Sequence, residues 1–126
     1  KNVYLLLEYC ENGEFYKYLA KNRGSITEPK CAQFIQQITQ ALHYMHERHV
    51  YHRDLKPENI FMGNNGRLML GDFGSAVHAP PQNPMRFTIC GTPEYLAPEM
   101  IASVGHDASI DMWALGIMMY EILYGR

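Results

Sequence analysis

The residues best suited to chemistry are gathered in His52-Arg53-Asp54-Leu55-Lys56-Pro57-Glu58-Asn59, which sets carboxylates, an ammonium and a carboxamide in one short stretch. A second acidic turn, Asp72-Phe73-Gly74, and a third marker, Ala97-Pro98-Glu99, follow it. Nothing in the motif implies a metal or an Arg partner beside Asp54, so its carboxylate is free to take a proton from a hydroxyl. The ammonium of Lys56 can meet a phosphate as a point charge. Asn59 and Asp72 offer a neutral and a charged oxygen, the hard ligands that magnesium prefers. Gly74 lets the chain turn sharply after Asp72. Taken singly, each of these residues reads as a solvated loop charge. Together they suit a task with little covalent work for the protein: positioning a phosphoryl group and compensating its charge.

In this order the three motifs form the protein-kinase signature set. The chain resembles the C-terminal half of a serine/threonine protein kinase catalytic domain. The resemblance implies an α+β, protein-kinase-like fold. Its large lobe would be mainly α-helical, with a hinge strand and a short β-hairpin, and the N-terminal lobe would be mostly absent. It also implies ATP and Mg2+ as cofactors. Asp54 would be the catalytic base, Lys56 the phosphate contact, and Asn59 and Asp72 the metal ligands. Lys at position 56 is the choice of serine/threonine rather than tyrosine kinases. Leu7 would be the gatekeeper of the ATP pocket, and backbone groups of Glu8 and Cys10 would bond the adenine edge. Phe61 stands where the family carries a Leu under the adenine, and Glu58 and Asn59 complete the ATP side.

These residues need elements to position them. Val3 to Glu8 is an apolar run with a β-branched start, which predicts a buried strand. Glu11-Asn12-Gly13 breaks it, and Glu14 to Lys21 follows as a short helix with Phe15, Tyr18 and Leu19 on one face. Thr27 is expected to N-cap a long helix, with Pro29 in its first turn. Cys31, Ile35, Ile38, Leu42 and Met45 recur at helical spacing, and the pattern runs into His46-Glu47-Arg48-His49. His43, His46, His49 and His52 recur every third residue. Each such step turns about 60° around a helix, so the four do not converge on one metal ion. In the family motif His52 is an inward-packed support.

Two short apolar runs from Ile60 to Leu70 flank Asn64-Asn65-Gly66, and Asn-Gly signals a hairpin. That hairpin would carry Asn59 at its start and Asp72 just past its end. Pro80, Pro81 and Pro84 mark an irregular, exposed segment, where kinases place the activation loop. From Ile110 to Tyr124 the chain is apolar nearly all round, which predicts a centrally buried helix. By resemblance, Asp111 at its start would hold the backbone of the His52-Arg53 turn.

The chain has 126 residues, is 47% hydrophobic and carries a formal net charge of −2. That suits one soluble domain or part of one. There is no basic excess and no nucleic-acid footprint. No apolar stretch reaches the ~18 residues that span a bilayer. Neither nucleic acid nor membrane is therefore expected as a partner. Cys10, Cys31 and Cys90 are odd in number and lack a C-x-x-C, which points to a reduced, intracellular compartment. The start has neither an initiator Met nor a signal peptide, and no G-x-G-x-x-G occurs. Residues 1–126 are therefore expected to be a partial kinase domain holding hinge, catalytic loop, activation segment and central helix. Such a piece is expected to be inactive alone.

Within kinases the chain is most similar to the Aurora family. Gly71-Asp72-Phe73-Gly74, Val77-His78-Ala79-Pro80 and Thr88-Ile89-Cys90-Gly91-Thr92 carry the resemblance, and Glu28-Pro29 also fits. Ser75-Ala76 departs from the Trp-Ser of Auroras. Thr92-Pro93-Glu94-Tyr95 is nearer to cyclic-nucleotide-dependent and Polo-like relatives. Another basophilic or Polo-like kinase, a pseudokinase scaffold and a half-domain binding module remain the alternatives. The resemblance implies a role in cell division, activator or scaffold partners, and a location in cytoplasm or nucleus, at spindles and centromeres. It implies phosphorylation of Thr88, with Arg53 pairing to the phosphate. It places Thr92, Glu14, Glu58 and Glu121 on the substrate side, the three glutamates facing Arg residues before the acceptor Ser or Thr.

Overall fold

The structure is a computed structural model and describes residues 2–125. The order of elements is α1 (Phe15–Lys21), α2 (Glu28–His46), β1 (Val50–Tyr51), β2 (Ile60–Met62), β3 (Leu68–Leu70), β4 (Val77–His78), α3 (Pro98–Ile101) and α4 (Ser109–Tyr124). The expected α+β architecture with a helical body and a short hairpin is what the chain adopts.

The helix α1 forms where Phe15 and Leu19 fall one turn apart and are both buried. It stops at Asn22, whose side-chain amide donates to the Tyr18 carbonyl at 2.8 Å and so closes the last turn. Thr27 takes the N-cap position of α2, but its hydroxyl makes no capping bond there. Pro29 sits in the first turn, where a missing N–H costs nothing. The buried stripe of α2 is Cys31, Phe34, Ile38, Leu42 and Met45. Phe34 therefore takes the place expected of Ile35, which is only half-buried. Its ring meets Phe15 and Tyr18 edge-on at 4.9 and 5.6 Å. Truncating so enclosed a ring to Ala costs about 3–5 kcal/mol. The helix ends at His46, and His49 turns left-handed with φ 57°.

β2 and β3 pair antiparallel, with Phe61 opposite Met69, around a turn over Asn64–Gly66. Gln37 ties this hairpin to α2: its amide donates to the Gly66 carbonyl and accepts from the Leu68 N–H. β1 pairs with β4, a contact that two-residue strands do not announce in sequence. The main core joins α1, α2, β2 and α4 through Phe15, Phe34, Leu42, Ile60, Leu115 and Met118.

Two expectations are corrected. Residues 3–8 form no strand, and Leu6 and Leu7 are exposed. A strand needs a ladder partner for its backbone, and none of the strands among the described residues runs beside it. Glu8 reaches Arg67 of the hairpin through an exposed ion pair at 3.7 Å, but the first backbone hydrogen bond to the hairpin is at Asn12, whose N–H donates to the Met62 carbonyl at 3.0 Å. The helix α4 is buried on one side only. Ile110, Asp111, Ala114, Leu115, Met118 and Ile122 face inward, while Met112, Trp113 and Met119 are 43–48% exposed. Its composition is apolar all round, but α2 and the 52–59 loop cover one face.

Candidate active site

The loop from His52 to Asn59 is held from below by Asp111 in the first turn of α4. The Asp111 carboxylate is 1% exposed and accepts from the backbone N–H groups of His52 (2.9 Å) and Arg53 (2.8 Å). A third partner is the His46 ring at 2.8 Å. The expected role of Asp111 is seen, and His46 adds a partner that the sequence reading missed. His52 is fully buried, as expected of a support. Its Nε2 faces the Gly71 carbonyl at 3.0 Å, and its Nδ1 accepts from the Asp54 N–H at 3.3 Å. This network is satisfied with the ring proton on Nε2. The four histidines that recur every third residue point to separate partners: His43 meets Glu47 and His46 meets Asp111.

Asp54 is not without partners. Its Oδ1 accepts from the Thr92 hydroxyl at 2.7 Å, and its Oδ2 accepts from the Asn59 amide at 3.0 Å. Lys56 Nζ lies 3.3 Å from Oδ2 and donates to the Thr92 hydroxyl at 2.7 Å. Burial works to raise the Asp54 pKa. The bonds from Thr92 and Asn59 and the charge of Lys56 outweigh it, so the carboxyl is held below its usual value. The result is an ionised carboxylate beside an ammonium, with a hydroxyl bonded to both. Thr92 was expected on the substrate side; its hydroxyl is built into this pair. Gly91 lets it approach, since at φ 102° a Cβ there would come within 2.5 Å of the Arg53 carbonyl.

Asn59 directs its amide nitrogen to Asp54, at 2.9 Å from the carbonyl and 3.0 Å from Oδ2. The acceptor half of the amide is what a cation can use. The Asn59 carbonyl accepts from Gly71 N at 2.8 Å, and this bond brings the two ends of the hairpin together. Asp72 follows at φ 51°, a left-handed conformation uncommon for a non-glycine residue. Its Oδ1 accepts from the Gly74 N–H at 3.2 Å, and Phe73 lies against the His52 ring. Among the described residues no cluster of three His, Cys, Asp or Glu could hold a metal. Magnesium needs none: one or two protein oxygens plus substrate phosphates are its usual set. The oxygen pair of Asn59 and Asp72 fits that chemistry.

Arg53 donates from Nε to the Ser75 carbonyl at 2.7 Å, which leaves both Nη groups to offer. Thr88 is exposed, as are residues 81–85 and 87–89 around it. Between them, Arg86 donates to the carbonyls of His78, Asn83 and Met85 at 2.7–2.8 Å. Its backbone pairs with His106, and the Tyr51 hydroxyl donates to the Pro84 carbonyl at 3.1 Å.

The three glutamates do not lie together. Glu14 pairs with Lys17 at 3.3 Å and bridges to Phe61. Glu121 accepts from the Tyr95 hydroxyl. Burial and the Glu121 carboxylate, with Glu58 and Glu94 adding to them, push the Tyr95 pKa far up. Glu58 and Glu121 thus share one neighbourhood around Tyr95, joined by Glu94. Tyr95 stands within the quoted motif, but nothing in its spacing flagged it. Leu7 and Glu8 are exposed and Cys10 is half-buried. No hydrogen bond among the described residues joins them to Asp54, Asn59 or Asp72.

The protein kinase domain family matches residues 1–126. The chain is 49% identical over 125 residues to Aurora kinase B-A of Xenopus laevis, covering 99% of this chain and 34% of that protein. It is 50% identical over 125 residues to the serine/threonine-protein kinase Aurora-2 of Arabidopsis thaliana, covering 99% and 43%. With the Aurora/IPL1-related protein kinase 2 of Caenorhabditis elegans it shares 45% over 126 residues, covering 100% and 40%. The chain spans between a third and a half of the length of these curated relatives. A buried Asp111 under the His52-Arg53 turn, the Lys56–Thr92–Asp54 triangle and the Asn59/Asp72 oxygens lie on one chain that the family covers from end to end, and the chain belongs to the protein kinase domain family.

Proposed function

We propose that the protein carrying this chain is an ATP- and Mg2+-dependent serine/threonine protein kinase of Aurora type, and that residues 1–126 are the hinge and large-lobe part of its catalytic domain. The observation that carries this reading is the Thr92 hydroxyl bonded at once to Asp54 Oδ1 and Lys56 Nζ. A hydroxyl in that place has an acceptor for its proton and a cation beside its oxygen. For a substrate Ser or Thr, Asp54 takes the hydroxyl proton while the new O–P bond to the γ-phosphorus forms and the bond from that phosphorus to the β-phosphate oxygen breaks, ADP leaving. Lys56 contacts the transferring phosphate. Asn59 and Asp72 would hold Mg2+, which would supply compensation of the phosphate charge. Leu7, Glu8, Cys10 and Phe61 border the adenine, with Glu58 on the nucleotide side.

Thr88 is the switch. Its phosphate, carrying ~−1.5 to −2 charge, pairs with Arg53 and orders the segment around it. Glu58 and Glu121 receive an Arg two residues before the acceptor, and Glu14 one three before it. A carboxylate takes a guanidinium through two parallel bonds, which favours Arg over Lys. The relatives bear Aurora names, and a role in cell division, with activator or scaffold proteins as partners and a location in cytoplasm or nucleus or at the spindle, follows from that likeness.

The test is transfer of labelled γ-phosphate by the full-length protein to an Arg-Arg-x-Ser peptide. Labelled phosphoserine is expected, with loss of the Arg preference in Glu121→Ala. Preference for acidic or proline-directed peptides contradicts the reading, as does failure to label any peptide.

A further inference from the structure

A wide groove lies away from the Asp54 site. It has a volume of about 360 Å³ and is lined by Lys17, Lys21, Lys30, Tyr18, Phe34 and Met62, together with Asn12 and Gly66. Every charged residue in that lining is a lysine. Lys17 and Lys21 stand one turn apart on α1, and Lys30 rises from the first turn of α2. Lys30 Nζ lies 4.9 Å above the Phe34 ring. Lys17 leans on Glu14 across an exposed 3.3 Å contact, which is worth little and is easily exchanged. Lys21 has no ion-pair partner among the described residues.

The backbone walls are held by hydrogen bonds. Gln37 fixes the hairpin turn at Gly66 and Leu68, and Asn12 bonds to the carbonyls of Met62 and Gly63. Such a groove is preformed, so an occupant orders little of the protein on arrival. We propose that it docks an acidic peptide segment of a partner protein, with carboxylates on the three lysines and an apolar side chain against Tyr18, the half-buried ring of the lining. The charge on a chain of net −2 is the argument: this one concave surface is cationic, and complementary potential selects and steers an acidic partner. Base stacking needs an open ring face, and Phe34 is 1% exposed. The inference does not depend on the catalytic roles proposed above. Met62 nonetheless lies next to Phe61, on the opposite side of β2, so an occupant would touch the strand that borders the nucleotide side.

The test uses the full-length protein and a fluorescein-labelled peptide, Asp-Glu-Leu-Asp-Glu, followed by anisotropy. The peptide has no acceptor hydroxyl and is no kinase substrate. Binding is expected, weakened roughly 10-fold or more by Lys17→Glu/Lys21→Glu/Lys30→Glu and kept by the corresponding Arg variants. Circular dichroism checks that the variants fold. Should the triple variant unfold, the peptide alone decides: replacing its Leu by Asn is expected to weaken binding to the unaltered protein. Absence of binding, indifference to the lysine changes or equal binding of the Asn peptide overturns the proposal. Tighter lysine-dependent binding of phosphatidylserine vesicles or of single-stranded oligonucleotide overturns it as well.

Discussion

Residues 52–59 and 81–91 border the same site and are held in opposite ways. The first stretch is tied to elements far away in sequence: Asp111 below, Gly71 beside His52, and Thr92 across Asp54. Its supports, His52 and Asn59, are buried. The second is nearly all exposed. It is stitched mainly by Arg86 to carbonyls a few residues away, and from outside by Tyr51, by His106 and by the packing of Cys90 against Ala97, Met100 and Ile110. The difference teaches where rigidity is placed. The groups proposed to meet a reacting atom are fixed by the fold, and the stretch carrying the proposed switch is held more loosely.

The comparison breaks most visibly at Asp111. Asp111→Ala strands two backbone N–H groups and a His ring beneath the loop. At about 1–3 kcal/mol for each of the two stranded N–H groups, the partly exposed His46 ring being open to water, a loss of roughly 2–6 kcal/mol is expected in chemical denaturation of the full-length protein. A loss near zero would mean that the loop does not depend on α4. Next in size is the switch. Thr88→Ala is expected to lower activity by ~5–150-fold, the usual span of a coupling between sites. Its stability should barely move, because Thr88 is exposed. Unchanged activity would remove the reason for leaving 81–91 loose.

Thr92→Val tests the tie between the two regions. It deletes one hydrogen bond to a charge, so activity should fall roughly 10-fold. It also removes a donor that lowers the Asp54 pKa. The base must be ionised to work, so the acid limb of the pH–rate profile should move to higher pH. The linkage has a matching sign. A carboxyl depressed in the folded state adds stability above its unfolded pKa, and this is lost as pH falls through the folded value. The variant should therefore resist acid less well in that same window. An unshifted acid limb would count against Thr92 as a donor to Asp54. The smallest effect is expected from Tyr51→Phe, which loses one bond to Pro84, worth about 1 kcal/mol. Faster proteolysis within residues 80–91, with the 52–59 loop unaffected, is the sign to look for.

Much of this was legible in sequence because local rules wrote it. The apolar period of α2 and the Asn-Gly hairpin follow from spacing and turn chemistry. The roles proposed for Asp54, Lys56, Asn59 and Asp72 rest on what phosphate and magnesium would require of such side chains. What escaped was set by distant partners. Phe34 replaced Ile35 in the stripe because α1 offered it two rings. The strand expected at Val3 to Glu8 had the right residues but no ladder. The outer face of α4 was apolar by composition, yet which side is covered depends on where α2 lies. Tyr95, His46 and the Thr92 bridge rest on contacts across 26 to 65 positions of chain, which no periodicity reveals.

The central claim is that a fixed carboxylate serves the hydroxyl while separate oxygens serve the metal-bound nucleotide. Turnover and ATP affinity of Asp54→Asn and Asp72→Asn, measured side by side in the full-length protein, test it most directly. Asp54→Asn is expected to cut turnover by ~10²–10⁴ with ATP affinity unchanged, and Asp72→Asn to weaken Mg-ATP binding. Equal loss of ATP affinity in both, or full turnover in Asp54→Asn, would contradict the account.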